Sequence, residues 1–217
     1  MANIHICVSG VDPTKDTFTE EEFLSVIVDG NQSKMHIGAL ITLSNSYCST
    51  YEVIGINHDD TANTVDIMAH TQVGNRLFGT SQVYSSSNIR TWINNTYFNA
   101  FSDNIRNAAK TMAVVTNGSA TVDDKVKLLS MTEIGATHAY APTGEGSLYT
   151  GVFTPGESET SIANRWRDKG TYGNANYYWL RTLHTGNTYY VWVLVRSNGS
   201  YSSYCTDTLG ILPVLRF

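Results

Sequence analysis

Seven of the 13 tyrosines fall between Tyr172 and Tyr204, interleaved with Asn187, Ser197, Asn198, Ser200, Ser202 and Ser203. This is recognition chemistry rather than bond-making chemistry. A tyrosine ring gives wide, stiff, amphipathic contact area at little entropic cost, and Ser, Asn and Gly add adaptable hydrogen bonds. The residue types missing from the same stretch are equally informative. The 48 residues after Lys169 contain no Lys, Glu, Gln or Met, whereas the first 169 contain 6, 8, 3 and 5 of them; at that density about six belong in the tail.

Other chemistries fit less well. His58-Asp59-Asp60 with Asp66 brings carboxylates together, but it lacks the Gly and closing Glu of an EF-hand loop and reads as a hairpin turn. Gly144-Glu145-Gly146 follows Pro142 rather than a strand, too short a match to a phosphate-binding loop, and reads as flexible loop. The six histidines are scattered and no nucleophile sits in a catalytic setting. Cys7, Cys48 and Cys205 are odd in number and far apart, which suggests buried free thiols rather than a disulfide framework or a metal site. No catalytic activity, cofactor or metal is expected. Fourteen basic against 19 acidic residues give a net charge of −5, which argues against a nucleic-acid partner. The chain start has no basic and apolar leader pattern, and no apolar run approaches the roughly 18 residues of a span, so neither a signal peptide nor a membrane span is expected.

The elements that must hold the tail are legible in outline. A length of 217 residues with 41% hydrophobic content suits one well-cored domain, here residues 37–217 preceded by an N-terminal segment, 1–36. Within that segment Thr19 and Glu22 form a capping box, flanked by Phe18 and Phe23 as a hydrophobic staple, so a short helix to Val28 is predicted. Three strands follow at 39–43, 51–57 and 65–70, as an antiparallel meander. From Ser87 the apolar residues recur at helical spacing through Ala109, with a break near Ser102. A strand at 126–129 leads to Ser130, where a helical turn can open. Residues 139–170 read as a long loop, which in a compact domain is usually functional. Strands are predicted at 177–182, 189–196 and 211–217, with Ser197-Asn198-Gly199-Ser200 as a turn. In the second of these Val191, Val193 and Val195 share one face, the expected core face.

Several segments together resemble an uncharacterised family of bacterial and phage domains. They are Ser87-Asn88-Ile89-Arg90-Thr91-Trp92-Ile93-Asn94, Val126-Lys127-Leu128-Leu129-Ser130, Tyr178-Trp179-Leu180-Arg181-Thr182, Ser197-Asn198-Gly199 and Gly210-Ile211-Leu212-Pro213-Val214. Leu212 departs from the family's usual Arg before Pro. The family resembles a branch of the C-type-lectin-like fold, shared with formylglycine-generating sulfatase modifiers. The depleted tail is similar to the variable proteins of diversity-generating retroelements, in which template adenines become any base. An Asn codon altered in that way reaches Tyr, Ser, Thr, His, Asp or Gly but never Lys, Glu, Gln, Met or Trp, so Trp179 and Trp192 must be fixed positions. Sulfatase modifiers use a cysteine pair in their C-terminal region, whereas this tail has only Cys205.

The expectation is therefore an α+β domain of C-type-lectin-like architecture, with twisted antiparallel sheets, helices and long loops. The resemblance implies a binding protein, either a phage tail receptor-binding component or a bacterial surface adhesin. Its partner would be a protein or glycan receptor on a target cell, and it would act as a homo-oligomer or docked to another tail or surface protein. The alternatives are a divergent sulfatase-modifier-like enzyme and an invariant virion structural protein. Ligand contacts are expected across 178–208. Before the last turn they are Tyr178, His184, Asn187, Tyr190, Trp192, Leu194 and Arg196; in and after it, Asn198, Ser200, Tyr201, Ser202, Tyr204 and Asp207. Trp92, Trp166 and Trp179 are expected as core anchors whose indole N–H meets a backbone acceptor, and Arg181 as a structural hydrogen-bonder.

Overall fold

The structure, a computed structural model, describes residues 15–116, 120–153, 177–195 and 199–217. The chain begins with β1 (Thr17–Phe18) and α1 (Glu20–Val28). Thr19 Oγ1 accepts from the Glu22 amide and the Glu22 carboxylate accepts from the Thr19 amide, the reciprocal capping expected from the sequence. β2 (Leu40–Thr42), β3 (Thr50–Ile56) and β4 (Val65–Ala69) form the expected antiparallel meander. β1 adds to β2 in parallel, and Phe18, Phe23 and Val26 enter the main core. The described part of 1–36 therefore belongs to the same packed unit as 37–217.

After β5 (Asn75–Leu77), α2 (Asn88–Trp92) runs through a π turn and a 3₁₀ turn to α3 (Asp103–Ala108). Extended backbone at Phe101 and a Ser102 side-chain cap make the break between them. β6 (Met112–Thr116) and β7 (Ala120–Asp124) form a separate hairpin, and β8 (Val126–Lys127) follows. The C-terminal part is β9 (Tyr177–Leu183), β10 (Tyr190–Val195), β11 (Gly199–Tyr204), β12 (Thr208–Gly210) and β13 (Val214–Arg216). One sheet has the order β1-β2-β3-β4-β13-β8 and the other β11-β10-β9-β12-β5. Helices and mostly antiparallel sheets make the fold α+β.

The second sheet is buried on both faces where β9 and β10 run. Trp179, Val191 and Val193 point into the main core, together with Tyr51, Phe78, Ile93 and Phe217. Tyr178, Leu180 and Trp192, one residue out of phase, point into a second core with Ile54, Met68, Ile134 and Tyr149. The valine face is thus a core face, but so is the opposite one. Trp179 is an anchor of the expected kind: its Nε1 donates to the Arg76 carbonyl at 2.8 Å. Trp92 is only half-buried, and Trp166 lies outside the described residues.

Between β8 and β9 little regular structure is described, and a buried charged cluster does the work of a ladder. Arg181, 1% exposed, uses all five of its N–H groups. Nε donates to Val115 O, Nη1 to Leu128 O and Glu133 Oε2, and Nη2 to Glu133 Oε1 and Glu145 O, at 2.5–3.0 Å. Lys127 Nζ donates to Glu133 Oε1 at 2.7 Å. Ser130 and Glu133 cap each other, Ser130 Oγ reaches Glu145 O, and the Thr182 hydroxyl donates to the Glu145 carboxylate. The Gly144-Glu145-Gly146 segment, read from sequence as flexible loop, is instead pinned: Glu145 is fully buried. Gly146 sits at φ +91°, and a Cβ there would lie 2.6 Å from Glu133 Oε1. Only glycine leaves the carboxylate its place.

The turn at His58-Asp59-Asp60 joins β3 to β4 as expected, with Asn57, Asp59, Asp60 and Asn63 in the left-handed region. Asp59 and Asp66 both receive Arg216. Cys48 and Cys205 are buried free thiols; Cys7 lies outside the described residues.

Burial pushes the Glu133 carboxyl upward, but Arg181 and Lys127 outweigh it and hold the group below its ordinary 4.5. Its stabilisation is complete above about pH 4.5 and is lost as pH falls through the lowered value. Arg181→Met, which leaves the buried Glu133 with Lys127 as its one ion-pair partner among the described residues, is expected to cost about 3–5 kcal/mol in urea denaturation at pH 7. A loss under about 1 kcal/mol, the range of an exposed pair, contradicts the assignment. Glu133→Gln is expected to be less stable at neutral pH, with a flatter decline of stability below pH 4.5.

Candidate ligand-binding surface

The β9–β10 pairing carries an irregularity that shapes the surface. Val191 pairs with Leu183 and Val193 with Trp179, so residues 180–182 oppose Trp192 alone. Such a bulge bends the strand and re-aims its side chains. Beyond it the chain turns through 184–189 into β10, and three groups fix that turn. The Gln82 amide, oriented with its nitrogen toward the loop, donates to the carbonyls of His184, Asn187 and Tyr190. Asn187 Oδ1 accepts from the Tyr189 amide at 2.9 Å, and the Thr185 amide donates to Tyr140 O at 2.8 Å. A Cβ on Gly186 would lie 2.9 Å from the Tyr140 ring, so glycine lets that ring close on the turn.

The result is a continuous aromatic band. Trp192, 3% exposed, is its floor. His184 stacks on Trp192 at 5.3 Å, with planes 24° apart, and His138 lies against the same indole at 4.7 Å. Tyr140 packs on His184 at 5.0 Å and on His138 at 5.5 Å. At the other end Tyr190 meets His184 edge-on at 5.9 Å and Tyr204 at 4.5 Å. Tyr140 and Tyr204 keep half their surface in water, and Tyr189 beside them more. Rings locked by ring contacts while still exposed give contact area without much ordering cost. Next to His138 opens a cleft of about 240 Å³, lined by Thr132, Ala136, Ala141, Pro142 and Leu148 among others.

Burial among the rings lowers the His184 pKa from its ordinary 6.5, and repulsion from His138 lowers it further, against a backbone hydrogen bond that raises it. Its Nδ1 is buried without a hydrogen-bond partner among the described residues. The arrangement therefore favours the neutral imidazole, a ring suited to stacking rather than to holding charge.

Of the residues expected from sequence, the structure brings His184, Tyr190, Trp192 and Tyr204 into this band. Asn187 shapes its turn, and Ser202 lies on β11 opposite Trp192. Asp207 acts within the β11–β12 turn: its Oδ2 accepts from Ser203 Oγ and from the Tyr204 amide. Tyr178 is corrected to a core residue, 3% exposed, because its face of β9 is covered by the second core. Trp192 is corrected likewise from contact to supporting floor. Leu194, Ser200 and Tyr201 lie on β10 and β11, but their side chains fall outside the described set, as do Arg196 and Asn198 entirely. His138 and Tyr140 were not expected. Their only sequence signal is a pair of rings two residues apart at the edge of the long loop.

The chain belongs to a family defined as a domain of unknown function (DUF6273), whose model matches residues 61–216. No curated protein and no solved structure matches the chain. Among the described residues no helix is long and apolar enough to cross a membrane, and no three His, Cys, Asp or Glu side chains are grouped to hold a metal ion.

Because repulsion from His138 helps to hold the His184 pKa down, His138→Ala is expected to raise it toward 6.5 in an NMR titration. An unchanged value contradicts that coupling.

Proposed function

We propose that the protein is a ligand-binding protein of C-type-lectin-like architecture, a phage tail receptor-binding component or bacterial surface adhesin, whose C-terminal face is diversified by a retroelement. The observation that carries this reading is that four rings of the aromatic band, His184, Tyr190, Trp192 and Tyr204, fall in the stretch that lacks Lys, Glu, Gln and Met, with His138 and Tyr140 packed against them from outside it. Tyr189, Tyr190 and Tyr204 are residue types that an adenine-altered Asn codon reaches, and all three keep surface in water. Trp179 and Trp192, which such a codon cannot reach, are buried. That division matches a fixed scaffold carrying replaceable contacts. The partner would be a protein or glycan receptor, held by a few aromatic anchors within a polar rim.

The sulfatase-modifier reading gains nothing from the remaining thiol. Cys205 is 2% exposed and burial pushes its pKa up, opposite to the lowered pKa and partial exposure of a reactive thiolate.

The double variant Tyr189→Ser, Tyr204→Ser is expected to keep its melting temperature within a few degrees, as exposed substitutions usually change stability by about 0.5 kcal/mol or less. Adsorption of the labelled protein to bacterial cells that bind the unaltered chain is expected to weaken by about 2 kcal/mol or more. Trp179→Ala is expected to do the reverse, losing about 3–5 kcal/mol of stability to a core cavity. A double Tyr variant that unfolds, or that binds unchanged, contradicts the reading.

A further inference from the structure

The opposite edge of the same sheet carries a different kind of site. Five arginines lie in the described residues, and four of them pair with carboxylates: Arg90 with Asp124, Arg106 with Asp103, Arg181 with Glu133 and Arg216 with Asp66. Arg76, on edge strand β5, has no carboxylate partner among the described residues. Its guanidinium instead lies over the Trp92 ring, 4.1 Å from the centroid. In a chain with a net charge of −5, the exposed Arg76 guanidinium thus has no counter-charge among the described residues.

That guanidinium is also held in place. Trp92 is braced by Tyr47, edge-on at 5.2 Å, and by Tyr97 at 6.0 Å. Tyr97 is itself fully buried and joined to the Tyr51 hydroxyl at 2.8 Å. The Arg76 backbone is fixed by the Trp179 indole on its carbonyl and by pairing with Leu209 of β12. Around it runs a groove of about 370 Å³, lined by Asn75, Arg76, Leu77, Asn88, Trp92 and Thr208. None of these is acidic, and two amides and a hydroxyl offer neutral hydrogen bonds.

A guanidinium stacked on an aromatic face keeps its edge N–H groups free, and that planar fork matches two oxygens of one anionic group. Preorganisation by stacking lowers the entropy lost when such a pair forms. We propose that this groove is a second binding site, which takes an oxyanion, carboxylate or phosphate, carried by a ligand. It is separate from the aromatic band at the far edge of the sheet and does not rest on the function proposed for that band.

The test is an NMR titration of the whole chain, following the Arg76 Nε–H and Trp92 indole N–H signals. Acetate and phosphate are the two probes, with chloride at matched ionic strength as control. A saturable shift with an oxyanion, at least tenfold weaker in Arg76→Lys and absent in Arg76→Gln, is the expected result. Acetate alone saturating assigns a carboxylate, phosphate alone a phosphate, and both an unselective oxyanion site. Shifts no larger than those with chloride overturn the proposal, as does saturable binding that persists in Arg76→Gln with its fold intact.

Discussion

The Arg181–Glu133 pair is the constraint around which the C-terminal part of the domain is built. Burying either ion alone costs several kcal/mol, and their attraction repays that only when every remaining donor and acceptor is met. Here the five guanidinium N–H groups find five acceptors drawn from β6, the strand exit at Leu128, the turn at Glu133 and the loop at Glu145. Lys127 shares the Glu133 carboxylate, so a single anion holds both cations. An apolar cluster of the same volume would tolerate sliding. A guanidinium with five fixed partners does not, and that is how segments without regular structure acquire a single arrangement.

The cluster extends across the second core. Lys127 lies over the Tyr149 ring at 5.3 Å, the Tyr149 hydroxyl donates to Asp66 at 2.7 Å, and Asp66 holds Arg216. His58 also stacks on Tyr149, at 3.7 Å. These contacts tie β4 and β13 of one sheet to β9 of the other through polar links set among Ile54, Met68 and Ile134. The segment 128–153 is thereby held firmly enough to bring His138 and Tyr140 against Trp192 and His184. A binding surface built on rings whose neighbours are already fixed loses little freedom when a partner arrives.

Local signals are legible in the sequence and distant ones are not. The capping box at Thr19, the break at Ser102 and the meander of β2 to β4 depend on neighbours a few residues apart, and each is found where expected. The β6–β7 hairpin adds to the predicted elements, and its sequence mark is Asn117-Gly118 between two runs rich in β-branched residues. Tyr178 and Trp192 are expected as contacts because they lie within 178–208, but both faces of β9 and β10 pack against a core. Arg181 was legible as structural, but its partners were not. They lie 36 to 66 residues away in sequence, and nothing local to Glu133 or Glu145 marks them as its acceptors. The same distance hid His138 and Tyr140, which join the band only once the cluster has folded the segment back.

The central claim, a fixed charged scaffold carrying replaceable aromatic contacts, is tested most directly by sequencing the DNA on either side of the coding region. The account predicts a second, nearly identical copy of the segment encoding about residues 178–208 that differs from it only where the copy has adenine. Those differences should fall in codons for positions that keep surface in water, such as His184, Asn187, Tyr190 and Tyr204, and should spare the buried Trp179, Arg181 and Trp192. A locus without such a copy, or one whose differences involve all four bases and reach Arg181 as often as Tyr204, would contradict it.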